Sequence, residues 1–488
     1  MNAKGLITDL YQLTMANALF HLGRHERRVV FDRFYRINPF DGGYTVVAGL
    51  SHLIEFVKNF RFDEEALDYL SSLKIFYPEF LDYLKEFHFT GDIYAMPEGT
   101  VAFPGEPLLR FHGTTIEAMM METGLSMILN HESLIATKAR RIRTVAGTDG
   151  LMEFGLRRAQ GHSAGLWGAR AAMIGGFNGT SNVEAGKRFG IPVLGTMAHS
   201  WVMSFDTELE AFEEYVRQYH DNLILLADTY HVLESGVPHA IEVFKKLKKA
   251  GKLPKTYGIR IDSGDLAYLS KEASRMFEEA GFPDVTISGS NDLDEYLIHS
   301  LKAQGCTVTS WGVGTKIITA DGASALGGVF KMSAREWKNG FEPVMKISND
   351  VAKMTNPGIK DVRRFYNKQT GKMITDLVCL PSEPKAGGDL TLVTESALWR
   401  KRHLEGGSYE TRSLLEPVVR AGETLPLPSL SETISYANRQ METLWPEYTR
   451  LTNPDIMEIN LSAPLQKLKR EIIEKELGKR EADRMSHA

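Results

Sequence analysis

Short apolar runs alternate with longer amphipathic segments from about residue 150 to residue 315, and this rhythm restricts the possible folds more than any other feature. The runs occupy residues 151–156, 172–176, 191–195, 223–227, 258–261, 285–288 and 307–312. Helical periodicity marks the segments between them, at residues 183–189, 208–219, 239–250, 267–280 and 293–303. Such alternation indicates parallel strands joined by crossover helices. We expect an α/β fold, an irregular TIM-like (β/α) barrel, with an open doubly wound sheet as the alternative.

The segments on either side differ in character, and together they predict a chain of three domains. Residues 1–135 mix helical and strand-like patterns, which indicates an N-terminal α/β domain. Residues 136–340 form the predicted barrel, which carries the active-site rim. Residues 341–488 form a β-rich segment, with strand-like patterns at 346–364 and 373–379, and a C-terminal helical extension with a charged helix at 465–484.

The composition excludes several classes of protein. The 488 residues carry a formal charge of −5, so the chain as a whole does not attract nucleic acid or an anionic membrane. The two cysteines, Cys306 and Cys379, provide neither a disulfide framework nor a cysteine-based zinc site. No apolar run approaches the roughly 20 residues of a membrane span, and the N-terminus lacks the pattern of a signal peptide. We therefore expect a cytoplasmic protein without nucleic-acid or membrane partners.

Polar and glycine-rich segments follow most of the apolar runs, where the carboxyl ends of the predicted strands would lie. The candidate site residues in these segments are Arg157, Thr196, His199, Asp228, Arg260, Asp262, Ser288, Gly289, Gly312, Gly314 and Thr315. Parallel barrels build their active sites on this face. A single face rich in Arg, His, Asp and Gly indicates an enzyme, in preference to a barrel that only binds a phosphorylated ligand.

Two of these segments, 288–291 and 312–315, have the character of phosphate-binding turns. Each places glycine and hydroxyl residues just before a predicted helix. Glycine lets backbone N–H groups approach an anion, and a helix N-terminus adds positive potential. Tight turns with Ser or Thr caps are the alternative. The chain has neither a Walker A motif nor a G-x-G-x-x-G fingerprint after a first strand, so any nucleotide must bind through another architecture.

His199 is a candidate catalytic residue, because it lies on the polar face beside Thr196, and a structural histidine is the alternative. Asp228 closes the next strand and is the nearest candidate carboxylate to orient the imidazole and stabilise a cation. Asp262 and Asp265 flank a Ser-Gly turn. We assign a catalytic or Mg²⁺-ligand role to Asp262 and a helix-capping role to Asp265.

Five motifs, in order along the chain, resemble those of the nicotinate phosphoribosyltransferase family. They lie at residues 8–15 (TDLYQLTM), 154–160 (FGLRRAQ), 195–200 (GTMAHS), 260–265 (RIDSGD) and 311–315 (WGVGT). The resemblance extends from residue 8 to about residue 365, and the tail beyond about residue 380 matches only loosely.

The resemblance implies an activity, a fold and partners. The reaction would convert nicotinate and phosphoribosyl pyrophosphate to nicotinate mononucleotide and pyrophosphate, a step of pyridine nucleotide biosynthesis in NAD salvage. It would be coupled to hydrolysis of ATP, which gives this transferase chemistry a ligase classification, and it would require Mg²⁺. The resemblance also implies an irregular barrel with the C-terminal extension packed on it, and a homodimer with a shared active site.

The same resemblance implies roles for individual residues. His199 would be phosphorylated by ATP to phosphohistidine, and Tyr11 would stack on the pyridine ring from the partner subunit. Arg260 and Thr196 would surround nicotinate, whose carboxylate suits a guanidinium. Thr315 would belong to the phosphate site, and Arg157 would lie near the substrates. Nicotinamide or quinolinate as the base is the alternative, because the fold and the phosphate sites would be shared.

Overall fold

The computed structural model describes residues 5–219, 221, 223–338, 340–350, 353–383, 387–394 and 397–486. These residues form two compact units. The first contains the described residues up to Leu134 and those from Ala325 onward, and the second contains Ile135–Ser324. Because compactness describes packing and not independent folding, the division into three domains stays a prediction.

The described residues contain the following strands and helices, numbered in chain order. The strands are β1 (Arg28–Phe34), β2 (Thr45–Val46), β3 (Asp92–Ala95), β4 (Val101–Ala102), β5 (Leu109–Thr114), β6 (Gly150–Glu153), β7 (Gly179–Thr180), β8 (Leu223–Leu226), β9 (Tyr257–Ile261), β10 (Thr286–Ser290), β11 (Ser310–Val313), β12 (Val329–Trp337), β13 (Gly340–Pro343), β14 (Asp361–Asn367), β15 (Met373–Cys379), β16 (Leu390–Thr394), β17 (Ala397–Leu404), β18 (Tyr409–Ser413), β19 (Glu416–Arg420), β20 (Glu423–Thr424) and β21 (Ile459–Leu461). The helices are α1 (Leu10–His21), α2 (Leu50–Asn59), α3 (Glu64–Ser72), α4 (Pro78–Lys85), α5 (Thr115–Ala146), α6 (His162–Ile174), α7 (Val183–Phe189), α8 (His199–Val202), α9 (Glu208–Gln218), α10 (Val237–Lys249), α11 (Leu266–Glu279), α12 (Glu295–Ala303), α13 (Thr315–Ile318), α14 (Leu430–Thr443) and α15 (Ala463–Ser486).

Six parallel strands form the sheet of the second unit, in the order β7-β6-β11-β10-β9-β8. From β8 to β11 each strand pairs with the next strand of the chain, and β11 then pairs with β6, the first. This cyclic order is that of a barrel left open between β7 and β8, whereas the order of a doubly wound sheet reverses at a switch point. The half-barrel confirms the predicted α/β fold with parallel strands, and full closure of the barrel stays a prediction.

Side-chain caps fix where several loops of this sheet turn into helices. Asn182, Asp265 and Asp294 each accept a hydrogen bond from the backbone N–H three residues later, at the starts of α7, α11 and α12. Each cap satisfies an N–H group that has no partner within the helix, and contributes about 1 kcal/mol. The capping role predicted for Asp265 is confirmed.

Two predicted strands are wrong, because residues 191–195 contribute only an isolated bridge at Val193 and residues 172–176 lie mostly in a helix. Residues 172–176 belong mostly to the end of α6, in which every residue from Gly165 to Ile174 is buried. A helix buried on all sides has no polar face, so its sequence lacks helical periodicity and cannot be distinguished from a buried strand. The strand in this region is β7, to which Val193 adds a single parallel bridge at Thr180.

The first unit is built on a seven-stranded sheet with the order β13-β12-β1-β5-β3-β19-β20, whose neighbouring strands run antiparallel. Side chains from α2, α3 and α4 join the sheet in one buried core. A second, four-stranded sheet contains β15, which confirms the strand predicted at 373–379. The strand-like pattern at 346–364 was only partly right, because β14 begins at Asp361.

The C-terminal helix α15 confirms the helix predicted at 465–484. Among the helices that the structure describes, none is both long enough and apolar enough to span a membrane.

Candidate active site

A pocket of about 520 Å³ lies at the carboxyl ends of the parallel strands, within the second unit. The loops that follow β6, β9, β10 and β11 line it, together with residues 195–199. Strands that run parallel end at the same edge of the sheet, so loops far apart in the chain meet there. The predicted site residues that line this pocket are Arg157, Thr196, His199, Arg260, Asp262, Gly312, Gly314 and Thr315.

A smaller cavity of about 90 Å³ lies against the same strands. Ser288 and Gly289 line this cavity and not the larger pocket, because they precede the end of β10. Five residues are shared by the two cavities: Phe154, Gly195, Thr196, Arg260 and Gly312. The predicted residues of the β10 turn therefore lie deeper in the sheet than the other candidates.

His199 is the first residue of the short helix α8, and its side chain is 41% exposed. Its Nδ1 atom lies 3.1 Å from the hydroxyl oxygen of Thr229. Its Nε2 atom lies 3.8 Å from Asp262 Oδ2. The imidazole is thus held on one edge by a hydroxyl group and faces a carboxylate of the pocket on the other.

Asp228 does not take the position beside the imidazole that its place in the sequence suggested. Its Oδ2 atom accepts hydrogen bonds from the backbone N–H of Asp262, at 3.1 Å, and from the hydroxyl of Ser263, at 2.6 Å. Its other carboxylate oxygen is buried without a hydrogen-bond partner among the described residues. The side chain of Asp228 therefore braces the turn that carries Asp262, and Asp262 is the carboxylate that faces His199.

Asp262 is oriented by two neighbours. Its Oδ1 atom accepts a hydrogen bond from the hydroxyl of Ser290, at the end of β10. The bond from its own N–H to Asp228 fixes its backbone. Because Ser290 engages Oδ1, the Oδ2 atom remains directed towards His199. The carboxylate of Asp262 thus links the ends of β9 and β10 at the pocket wall.

Arg260 provides a largely buried positive charge that reaches both cavities. One guanidinium nitrogen donates to the carbonyl oxygen of Met197 at 3.1 Å, while the buried Nε has no partner among the described residues. Burial lowers the pKa of Arg260, and the negative charges of Asp262 and Asp228 oppose that decrease. A guanidinium that lines both cavities suits an anionic ligand.

Gly312 packs closely against an aromatic ring of the pocket. A Cβ atom at this position would lie 2.7 Å from the ring of Phe154, which also lines the pocket. Gly314 and Thr315 follow, and Thr315 begins the short helix α13. Phosphate binding at this turn stays a prediction.

Ten further residues line the pocket without an individual role predicted from the sequence: Phe154, Leu156, Arg158, Ser181, Gly195, Met197, Ala198, Ser290, Asn291 and Asp292. Ser290 and Asn291 belong to the predicted phosphate-binding turn at 288–291. Most follow strand ends directly, so position after an apolar run was the available signal. Asn291 and Asp292 have positive φ angles of 91° and 43°. Backbone strain of this kind is common at functional sites, but the sequence does not reveal it.

Tyr11 lies in α1 of the first unit, and its side chain is 51% exposed. The Gln12 side-chain amide donates a hydrogen bond to its hydroxyl at 3.1 Å. Burial raises the pKa of Tyr11, and the charges of Glu122 and Asp9 raise it further. The stacking role that the resemblance implied for Tyr11 stays a prediction.

The pocket offers carboxylate oxygen for a divalent cation. Asp262 and Asp292 both line it. Among the described residues, no group of three or more His, Cys, Asp or Glu side chains is arranged to hold a metal. Mg²⁺ typically binds one or two carboxylates and completes its shell with water and substrate phosphates, so this donor set fits Mg²⁺ that arrives with a phosphorylated substrate.

Comparison with known proteins gives matches along nearly the whole chain. Models of the nicotinate phosphoribosyltransferase N-terminal domain, family and C-terminal domain match residues 6–130, 150–369 and 359–469. The nicotinate phosphoribosyltransferase of Bacillus subtilis is 40% identical over 94% of this chain and 92% of its own. That of Caenorhabditis elegans is 35% identical over the same shares. The solved structure of human nicotinic acid phosphoribosyltransferase has a TM-score of 0.84 at 30% identity, and covers 95% of this chain and 99% of that one.

Proposed function

The chain belongs to the nicotinate phosphoribosyltransferase family, and on that premise we propose that it forms nicotinate mononucleotide and pyrophosphate from nicotinate and phosphoribosyl pyrophosphate. One observation carries the proposal: a guanidinium, a histidine, a carboxylate and a glycine-rich turn meet in one pocket of about 520 Å³. The product makes the reaction a step of NAD salvage.

Nicotinate would bind between the Phe154 ring and Arg260. Both residues line the two cavities, and an aromatic face suits a pyridine ring. The guanidinium of Arg260 lines both cavities and would pair with the ring carboxylate. The pairing of these two charges would favour nicotinate over nicotinamide, which is neutral and would form no ion pair with the guanidinium.

The phosphoribosyl group would lie between the base and the turn at Gly312–Thr315. The pyridine nitrogen attacks C1 of the ribose, a C–N bond forms, and the C1–O bond to pyrophosphate breaks with its electron pair. Positive charge develops on the ribose and negative charge on the leaving group. Arg157 and the backbone N–H groups of the turn oppose the negative charge. Asp262 would hold Mg²⁺, which neutralises pyrophosphate when bound.

ATP would enter the cycle through His199. A neutral ring that is protonated on Nδ1 donates a hydrogen bond to the hydroxyl of Thr229. This tautomer leaves the lone pair of Nε2 facing the pocket. Attack of Nε2 on the γ-phosphoryl group of ATP gives phosphohistidine and ADP, and hydrolysis returns the histidine with release of phosphate. The added negative charge lies beside Asp262, where it changes the affinity of the pocket for phosphorylated ligands.

We further propose that the enzyme acts in the cytoplasm as a homodimer whose active sites include Tyr11 of the partner subunit. The exposed aromatic ring of Tyr11 is available for such a contact. Mixing of a Tyr11→Ala variant with an Arg260→Ala variant tests this arrangement, because a shared site recovers activity in the mixed dimer.

An assay of nicotinate mononucleotide tests the central proposal. The protein is mixed with nicotinate, phosphoribosyl pyrophosphate, ATP and Mg²⁺, and absence of product from folded protein contradicts the proposal. A His199→Ala variant should keep basal transfer and lose the stimulation by ATP. Comparison of kcat/KM for nicotinate, nicotinamide and quinolinate tests the base, and a preference for nicotinamide would overturn the assignment of Arg260.

A further inference from the structure

Glu153, the last residue of β6, is a buried carboxylate without a basic partner. Its side chain is 0% exposed, and among the described residues the groups that act on its pKa are Thr180 and Gly155, neither of which is basic. An ionised carboxylate is costly to bury without a cation, and apolar side chains often replace buried charges without loss of stability. Its oxygens therefore make contacts that an apolar residue could not.

Those contacts join two walls of the pocket. Oε1 accepts the backbone N–H of Gly155 at 2.5 Å, and Oε2 accepts the hydroxyl of Thr180 at 2.5 Å. The backbone carbonyl of Glu153 accepts the N–H of Ser181 at 2.9 Å. A Cβ atom on Gly155 would lie 2.5 Å from Ile318 Cβ and 2.8 Å from Oε1, so glycine permits both close approaches.

Each partner of Glu153 is adjacent to residues that line the pocket. Gly155 follows Phe154 and begins the turn that carries Arg157. Thr180 precedes Ser181, and its hydroxyl oxygen also accepts the N–H of Asn182 at 3.0 Å. The hydrogen bonds thus run from Asn182 through Thr180 to the carboxylate, and then to the turn after β6.

We propose that Glu153 is a positioning residue that holds Phe154 and Arg157 in register with Ser181, and so sets the affinity of the pocket for the pyridine base. This inference rests on the proposed function, because it assigns that end of the pocket to nicotinate. Glu153 acts through its neighbours and does not line the pocket.

The energetics of the carboxylate agree with this role. Burial raises the pKa of Glu153, while the hydrogen bonds from Thr180 and Gly155 lower it. Two donors that favour the charged form compensate part of the cost of burial. Loss of the Thr180 hydroxyl would leave one carboxylate oxygen buried without a partner, so the side chain would move and the turn after β6 would lose its side-chain link to Thr180.

Substitution of Thr180 tests the inference with little change in volume. Thr180→Val removes the hydroxyl from a fully buried strand position, whereas Thr180→Ser keeps the hydroxyl and removes the methyl group. We expect Thr180→Val to raise KM and Kd for nicotinate about 10-fold, with kcat and KM for phosphoribosyl pyrophosphate within about 2-fold of wild type. Thr180→Ser should resemble the wild type. Ser270→Ala, which removes a buried hydroxyl from α11, is the matched control for a general loss of stability.

Nicotinate binding measured by calorimetry separates failure of this inference from failure of the proposed function. Wild-type protein that binds nicotinate but yields no product contradicts the proposed function, whereas a weaker Kd in Thr180→Val still supports the positioning role. An unchanged Kd and KM in Thr180→Val overturns the inference, and so does an equal shift in Ser270→Ala. Wild-type protein that neither binds nor converts nicotinate overturns both.

Discussion

Replacement of Gly312 by alanine should displace the aromatic wall of the pocket. The new Cβ atom would lie 2.7 Å from two carbons of the Phe154 ring and 3.3 Å from Ser290 Cβ. Ordinary van der Waals contact begins at 3.4 Å, so the ring must move by about 0.7 Å. Gly312 has no positive φ angle, so the backbone accepts alanine and the strain falls on the side chains.

The expected effects follow from this overlap. Overpacking in a well-packed interior costs about 1–3 kcal/mol of unfolding free energy. Displacement of the ring should weaken binding of the base by about 1.4 kcal/mol, which is a 10-fold higher KM for nicotinate. KM for phosphoribosyl pyrophosphate should change little, because the backbone N–H of residue 312 remains.

Steady-state kinetics with each substrate varied, together with urea unfolding, provide the measurement. Gly150→Ala, at the start of β6 and outside both cavities, is the control, because its Cβ would meet Ser310 Oγ at 3.2 Å, a milder overlap. In the double variant Phe154→Leu/Gly312→Ala, the smaller side chain should relieve the overlap. The double variant should therefore lose less unfolding free energy than the two single variants lose in sum. A selective rise in KM for phosphoribosyl pyrophosphate would refute this reasoning and assign Gly312 to the phosphate site.

Three other substitutions test separate parts of the structure. Asp262→Asn should raise the Mg²⁺ concentration for half-maximal activity about 10-fold, because it removes the charge that a hard cation prefers, and an unchanged Mg²⁺ titration would exclude this role. His131 has a pKa that burial lowers from 6.5 to about 4, so the unfolded chain binds more protons between these values and stability falls as the pH decreases. In His131→Gln, the loss of unfolding free energy from pH 7 to pH 5 should be about 2 kcal/mol smaller than in wild type, and equal losses would contradict the lowered pKa. Glu295 lies 2.6 Å from Lys138 and 2.9 Å from Arg141 in a buried cluster, so Glu295→Gln should cost about 3–5 kcal/mol in urea unfolding, and a loss below 1 kcal/mol would show that the cations find other compensation.

The architecture of the second unit was largely predictable because its helices are amphipathic. The helix predicted at 183–189 is α7, and those predicted at 208–219 and 267–280 differ from α9 and α11 by about a residue at their ends. Because each of these helices has one polar face, its polar and apolar residues recur in the sequence with the helical period. The buried helix α6 has no such face, and its end was mistaken for a strand.

The sequence by itself determined at which edge of the sheet the pocket lies, because residues that follow parallel strands must end at one face of the sheet. Only the tertiary structure decided their partners. The sequence predicted Asp228 as the partner of His199. In the structure Asp228 accepts a hydrogen bond from the backbone of Asp262, and the hydroxyl of Thr229 lies beside the imidazole. Hydrogen bonds depend on distances of a few tenths of an ångström between segments distant in the chain, and strand order alone does not specify them. Glu153 lies within the apolar run at 151–156, and the sequence gives no sign of its partners. Only the tertiary structure shows that it is buried and bonded to Thr180.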